Sequence, residues 1–113
     1  MWIRRIVEDF ECRLRVLEPE RVGAAATGKA ERERFGGGDE ELEVRVRSLD
    51  VPDGTVLSVH LRDGLLGSFE VRRGRGSFKL DSRAAETVPI GVGDRLVVRL
   101  GATDVLSGEF RED

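Results

Sequence analysis

Residues 41–49 read ELEVRVRSL, and in the first seven every second side chain is apolar: Leu42, Val44 and Val46 alternate with Glu43, Arg45 and Arg47. A helix would put Val44 on the side opposite Leu42 and Val46, whereas an extended strand puts all three on one face. The segment therefore reads as a half-buried strand whose outer side is charged and solvated. The same alternation recurs in both directions. Upstream, FECRLRVL at 10–17 sets Phe10, Cys12, Leu14 and Val16 against Glu11, Arg13 and Arg15. Downstream, TVLSVHLRD at 55–63 offers Leu57, Val59 and Leu61 to one face and Ser58, His60 and Arg62 to the other. Phe69 with Val71, Phe78 with Leu80, Leu96 with Val98 and Leu100, and Leu106 with Phe110 continue the series.

The punctuation agrees with strands. GGGD at 36–39, VPDG at 51–54, Asp63-Gly64, Gly74-Arg75-Gly76, GVGD at 91–94 and GATD at 101–104 are turn signals between neighbouring apolar runs. Seven or eight short strands in a chain of 113 residues predict one domain over 10–113, an all-β antiparallel β-sandwich or Greek-key barrel. Only the start departs from this rhythm. In MWIRRIVEDF, Trp2, Ile6 and Phe10 stand four apart, with Ile3 and Val7 beside them. That spacing suits a helix, so residues 1–9 read as a short arm that docks on its own domain or on a second subunit.

Composition narrows the function classes. Nineteen basic and 22 acidic residues give a formal charge of −3, which supplies no general attraction to nucleic acid or to an anionic membrane. No apolar run approaches the roughly 20 residues of a spanning helix. The single cysteine, Cys12, cannot close an internal disulfide. It fits a reducing cytoplasm, and equally export of a disulfide-free domain whose leader has been removed.

Residues 23–30, GAAATGKA, come within one letter of the phosphate-loop pattern, with Ala30 where a magnesium-binding hydroxyl belongs. No amphipathic helix follows, since ERERF reaches three consecutive glycines at once. The alternative is a strand with Ala24, Ala26, Gly28 and Ala30 on one face and Thr27, Lys29 and Glu31 on the other. Small groups there let a facing side chain approach closely. Arg32 and Arg34 continue the small face, so this strand is expected to leave the core after Ala30 and project its tip into water.

ATGKA at 26–30, LEVRVRSL at 42–49, TVLSVHL at 55–61 and Gly67 together resemble a CHRD (chordin) domain over residues 24–71. The resemblance implies a β-sandwich similar in shape to copper–zinc superoxide dismutase. It implies a small-ligand or metal-binding role as the alternative function. The family carries two histidines flanking one residue where this chain has Val59-His60-Leu61, so only His60 corresponds. DSRAAETVPIGVGD at 81–94 and LSGEF at 106–110 look like the endings of small bacterial β-modules.

Chemistry is sparse. One histidine excludes multi-histidine metal sites, and the spacing assembles neither a mononuclear site nor a cofactor cradle. A hydrolase would require a buried His60 bonded to a serine, without a G-x-S-x-G elbow to present one. RRGRG at 72–76 is the most basic cluster but lacks interleaved aromatic residues. The expectation is a non-enzymatic module for protein interaction or assembly, partnering another protein or itself as a homodimer. Trp2, Ile3, Ile6, Arg72, Arg73 and Arg75 are its candidate interaction surface.

Overall fold

A computed structural model describes residues 5–81 and 89–113. Eight strands follow in chain order: β1 (Ile6–Val16), β2 (Thr27–Phe35), β3 (Glu40–Arg47), β4 (Val56–Leu61), β5 (Gly64–Glu70), β6 (Gly76–Asp81), β7 (Arg95–Leu100) and β8 (Thr103–Glu112). One short helix, α1 (Pro19–Val22), precedes β2. The strands form a continuous sheet in the order β5-β4-β7-β8-β1-β2-β3-β6, with every neighbouring pair antiparallel. Consecutive β5 and β6 are its two edges. They meet beside the Arg72–Arg75 bridge, so the sheet rolls into a nearly closed barrel. Strand β3 lies beside β6 although the chain first crosses to β4, which is the Greek-key connection.

The alternation read from the sequence decides which residues fill the barrel. Cys12, Leu42, Val44, Leu57, Val59, Leu96, Val98, Leu106 and Phe110 are buried completely or to within 1%. Where the edges meet, aromatic rings take the place of hydrogen bonds. The Phe78 ring lies against Gly67 and the Phe69 ring against Gly76, each so close that a Cβ on either glycine would overlap it.

Three expectations are corrected. Residues 6–9 are not a helical arm: they open β1, and Ile6 pairs with Phe35 of β2. The β2 edge supplies hydrogen-bond partners for those residues, while a nine-residue helix would be marginal without a receiving surface. Ile6 itself is half exposed, at 49%. Trp2 and Ile3 lie outside the described residues. Secondly, the strand within GAAATGKA begins only at Thr27. Ala26 and Ala30 are buried as expected, Gly28 lies against Leu14 and Val46, and Ala24 is exposed in a turn. Lys29 therefore sits in mid-strand after a helix, where no phosphate loop can form.

The third correction concerns the tip of β2. Arg32 does not project into water, for its relative exposure is 6%. Its guanidinium donates to Glu8 Oε1 and, at 2.7 Å, to Glu40 Oε1, while lying 5.2 Å from the Phe10 ring centroid. A charge can remain at the mouth of the barrel because two carboxylates and an aromatic face replace its water.

Candidate functional site

Ser58 and His60 stand two apart on β4 and share its outer face. Ser58 Oγ lies 2.8 Å from His60 Nε2, and Arg99 Nη1 lies 3.4 Å from His60 Nδ1. A guanidinium can only donate, so Nδ1 accepts and the neutral ring carries its proton on Nε2. Nε2–H then donates to the serine oxygen. A serine nucleophile needs the reverse: a carboxylate accepting from Nδ1–H and a free Nε2 lone pair to take the hydroxyl proton. Arg99 is itself held by Asp104 at 2.7 Å and Asp63 at 3.7 Å. Partial burial, followed by the Arg99 charge, lowers the His60 pKa and favours the neutral ring. The histidine–serine contact named as the requirement for a hydrolase thus exists, but half-buried and with inverted polarity.

Cys12 is also unsuited to chemistry at ordinary pH. Burial, reinforced by Glu109 and Glu11, pushes its thiol up to about 12. Among the described residues no three His, Cys, Asp or Glu side chains converge in a way that could hold a metal ion. No described helix is long and apolar enough to cross a membrane.

The outer face of β1, β2, β3 and β6 is different. Cross-strand register aligns its side chains in rows, with neighbouring strands about 4.8 Å apart and successive rows about 6.8 Å apart. The first row is acidic throughout: Asp9 opposes Glu33, Glu33 opposes Glu41, and Glu41 opposes Asp81. Asp113 extends it on the β8 side, donating its backbone N–H to the Asp9 carbonyl. The second row holds Glu11, Glu31 and Glu43, flanked by Arg111 and Lys79. The third reverses sign with Arg13, Lys29 and Arg45, and the fourth carries Arg15, Thr27 and Arg47. Like charges therefore oppose one another across β1, β2 and β3 in the first three rows, an arrangement that costs stability. The second row is relieved where Glu11 opposes Arg111 and Glu43 opposes Lys79.

Ion pairs along and between the strands offset part of that cost. Lys29 bridges Glu31 at 2.9 Å and Glu11 at 3.6 Å, Arg45 meets Glu43 at 2.9 Å, and Arg13 meets Glu11 at 3.3 Å. These contacts neutralise the two middle rows against each other, and Lys79 of the second row reaches Glu41 of the first at 4.0 Å, while the outer rows keep opposite signs. At the acidic pole, burial and then the neighbouring Asp113 raise the Asp9 pKa, and burial together with Asp9 and Glu31 raises that of Glu33.

At the basic pole the candidate arginines of the RRGRG cluster join the sheet. Arg73 has φ +52° and Gly74 φ +73°, forming a two-residue turn closed by reciprocal Arg72–Arg75 backbone bonds. The Arg73 N–H donates to Asp53 Oδ1 at 2.8 Å, fixing the tip. Arg72 and Arg75 thereby line one open concavity of about 810 Å³ with Lys29, Arg45 and Arg47. Arg72 pairs with Glu70 at 3.0 Å, whereas Arg15, Arg47 and Arg75 make no side-chain ion pair among the described residues. Of the residues singled out from the sequence, Arg72 and Arg75 fall at this pole, Arg73 serves the turn, and Ile6 lies at the opposite end of β1. The acidic row was missed. Each of its members belongs to a different strand and looks, locally, like ordinary acid–base alternation.

No known family's sequence model matches the chain, and no curated protein is similar to it.

Proposed function

We propose that this protein is a non-enzymatic interaction module whose working surface is the outer face of β1, β2, β3 and β6. The observation that carries this reading is the segregation of charge into an acidic and a basic pole, maintained by register across four strands. Solubility alone would be served better by interspersed signs, because opposite charges facing across strands stabilise a sheet and like charges do not. Retaining like-charge rows is explained by a partner that presents the opposite charge to each pole. Electrostatic surfaces of this kind contribute orientation and association rate more than raw affinity. The inverted polarity at Ser58 and His60 supports a binding role over hydrolysis.

Amide chemical shifts recorded during titration with hexa-aspartate and, separately, hexa-arginine peptides test the assignment. Hexa-aspartate is expected to shift residues around Arg15, Arg47 and Arg75, and hexa-arginine those around Asp9, Glu33 and Glu41. Shifts concentrated instead on β4, β5 and β7, or none at millimolar peptide, would contradict the reading.

A further inference from the structure

The rows of this face complement themselves. A two-fold axis lying in the plane of contact, parallel to the rows and midway between the second and third, turns one copy over onto another. It exchanges first row with fourth and second with third while preserving the order of strands. Asp9 then faces Arg15 of the second copy, Glu33 faces its neutral Thr27, Glu41 faces its Arg47, and Asp81 faces its Arg75, whose place in the fourth row follows from the β3–β6 register. In the middle rows Glu11 faces Arg13, Glu31 faces Lys29, and Glu43 faces Arg45. Every such pair occurs twice, as an isologous contact requires.

We propose that the partner of this face is a second copy of the same chain, packed face to face in this antiparallel arrangement. The inference rests on the reading of the face as an interaction surface and adds the identity of its occupant. An unrelated acidic partner would need only the basic pole and an unrelated basic partner only the acidic one. Both poles on one face, at matched distances from a common axis, are what self-pairing needs.

Size sets the strength. Four strands about 4.8 Å apart and four rows about 6.8 Å apart cover roughly 14 by 20 Å, below the roughly 800 Å² per partner of a standard interface. The curvature of the barrel further confines close contact to the central strands. Association is therefore weak, fast and governed by salt, since a Debye length of about 30 Å at 0.01 M shrinks to about 3 Å at 1 M.

Sedimentation equilibrium of the full chain tests the proposal with two charge-reversed variants, Arg15→Glu/Arg47→Glu and Asp9→Arg/Glu41→Arg. Wild type is expected to dimerise at 10 mM salt, with at least a tenfold weaker association at 500 mM. Each variant alone is expected to be monomeric under the low-salt condition, and an equimolar mixture to form a heterodimer, because each then supplies the pole the other lacks. Recovery in the mixture also shows that neither variant has lost its fold. A wild type monomeric at about 1 mM protein and low salt would overturn self-pairing. If that monomer still bound the charged peptides, the face would belong to another protein's charged segment. Dimers that survive in either variant alone would place the contact elsewhere and also overturn the proposal.

Discussion

Strand β8 pairs with both β7 and β1, so the two halves of the barrel depend on it, and at Gly108 it packs closely on Arg13 and Cys12 of β1. A Cβ added there would overlap the Arg13 carbonyl oxygen and lie 2.9 Å from both the Arg13 carbonyl carbon and Cys12 Sγ. Ordinary contact needs about 3.5 Å, and two of the three atoms are backbone, so no side-chain rotation relieves the clash. Gly108→Ala must separate β1 from β8 locally by close to an ångström. Losing two ladder hydrogen bonds costs about 2 kcal/mol. Overpacking against the buried Cys12 adds about 1–3 kcal/mol. The smaller conformational entropy of unfolded alanine returns about 0.5–1 kcal/mol. The net expectation is about 3 kcal/mol of destabilisation, a large share of the roughly 5–15 kcal/mol that holds a domain together. Urea denaturation followed by circular dichroism measures it. Gly37→Ala is the control, because nothing lies within 4 Å of that position, and its change should stay within about 0.5 kcal/mol. A Gly108→Ala protein as stable as the control would refute the close packing of β1 on β8.

Further outcomes follow from the polar groups. Arg32→Ala, which strips a buried guanidinium from Glu8, Glu40 and the Phe10 ring, should cost about 2–3 kcal/mol in the same assay. Arg32→Met should recover about half of that by keeping the packed stem, and equal losses for the two would contradict the packing argument. The fold favours neutral His60, so its stabilisation is complete above the ordinary pKa of 6.5 and is lost as pH falls through that value toward the lowered one. Thermal melts from pH 8 to 5 should accordingly fall less steeply for His60→Gln than for wild type. A His60 pKa above 6.5 by proton NMR would reverse that sign. Cys12 should resist a thiol reagent at pH 8 until urea unfolds the chain, and prompt labelling of native protein would mean that the core opens.

The alternation in ELEVRVRSL was sufficient to identify an antiparallel β-fold, because period-two burial is local and each strand declares it independently. Arg32 was misjudged because its burial depends on Glu8, Glu40 and Phe10, two of which lie more than 20 residues away. The start of β1 was misjudged for a related reason: Trp2, Ile6 and Phe10 carry a helical spacing, but the β2 edge offers backbone partners that no local pattern reveals. The candidate surface was half legible. RRGRG stands out in the sequence as a cationic cluster, yet its continuation through Arg47 to Arg15 exists only once register is set. The acidic row joins Asp9, Glu33, Glu41 and Asp81 across 72 positions of chain, and pairing alone makes them neighbours.

In the proposed dimer, charge segregated on one sheet face draws two copies together. A dilution series of the isotope-labelled wild-type protein at 10 mM salt, followed by backbone amide chemical shifts, tests it most directly. Concentration-dependent shifts are expected, confined to β1, β2, β3, β6 and the Arg72–Arg75 turn and abolished by 500 mM salt. Shifts that map to β4, β5 and β7, or that persist unchanged in high salt, would contradict it.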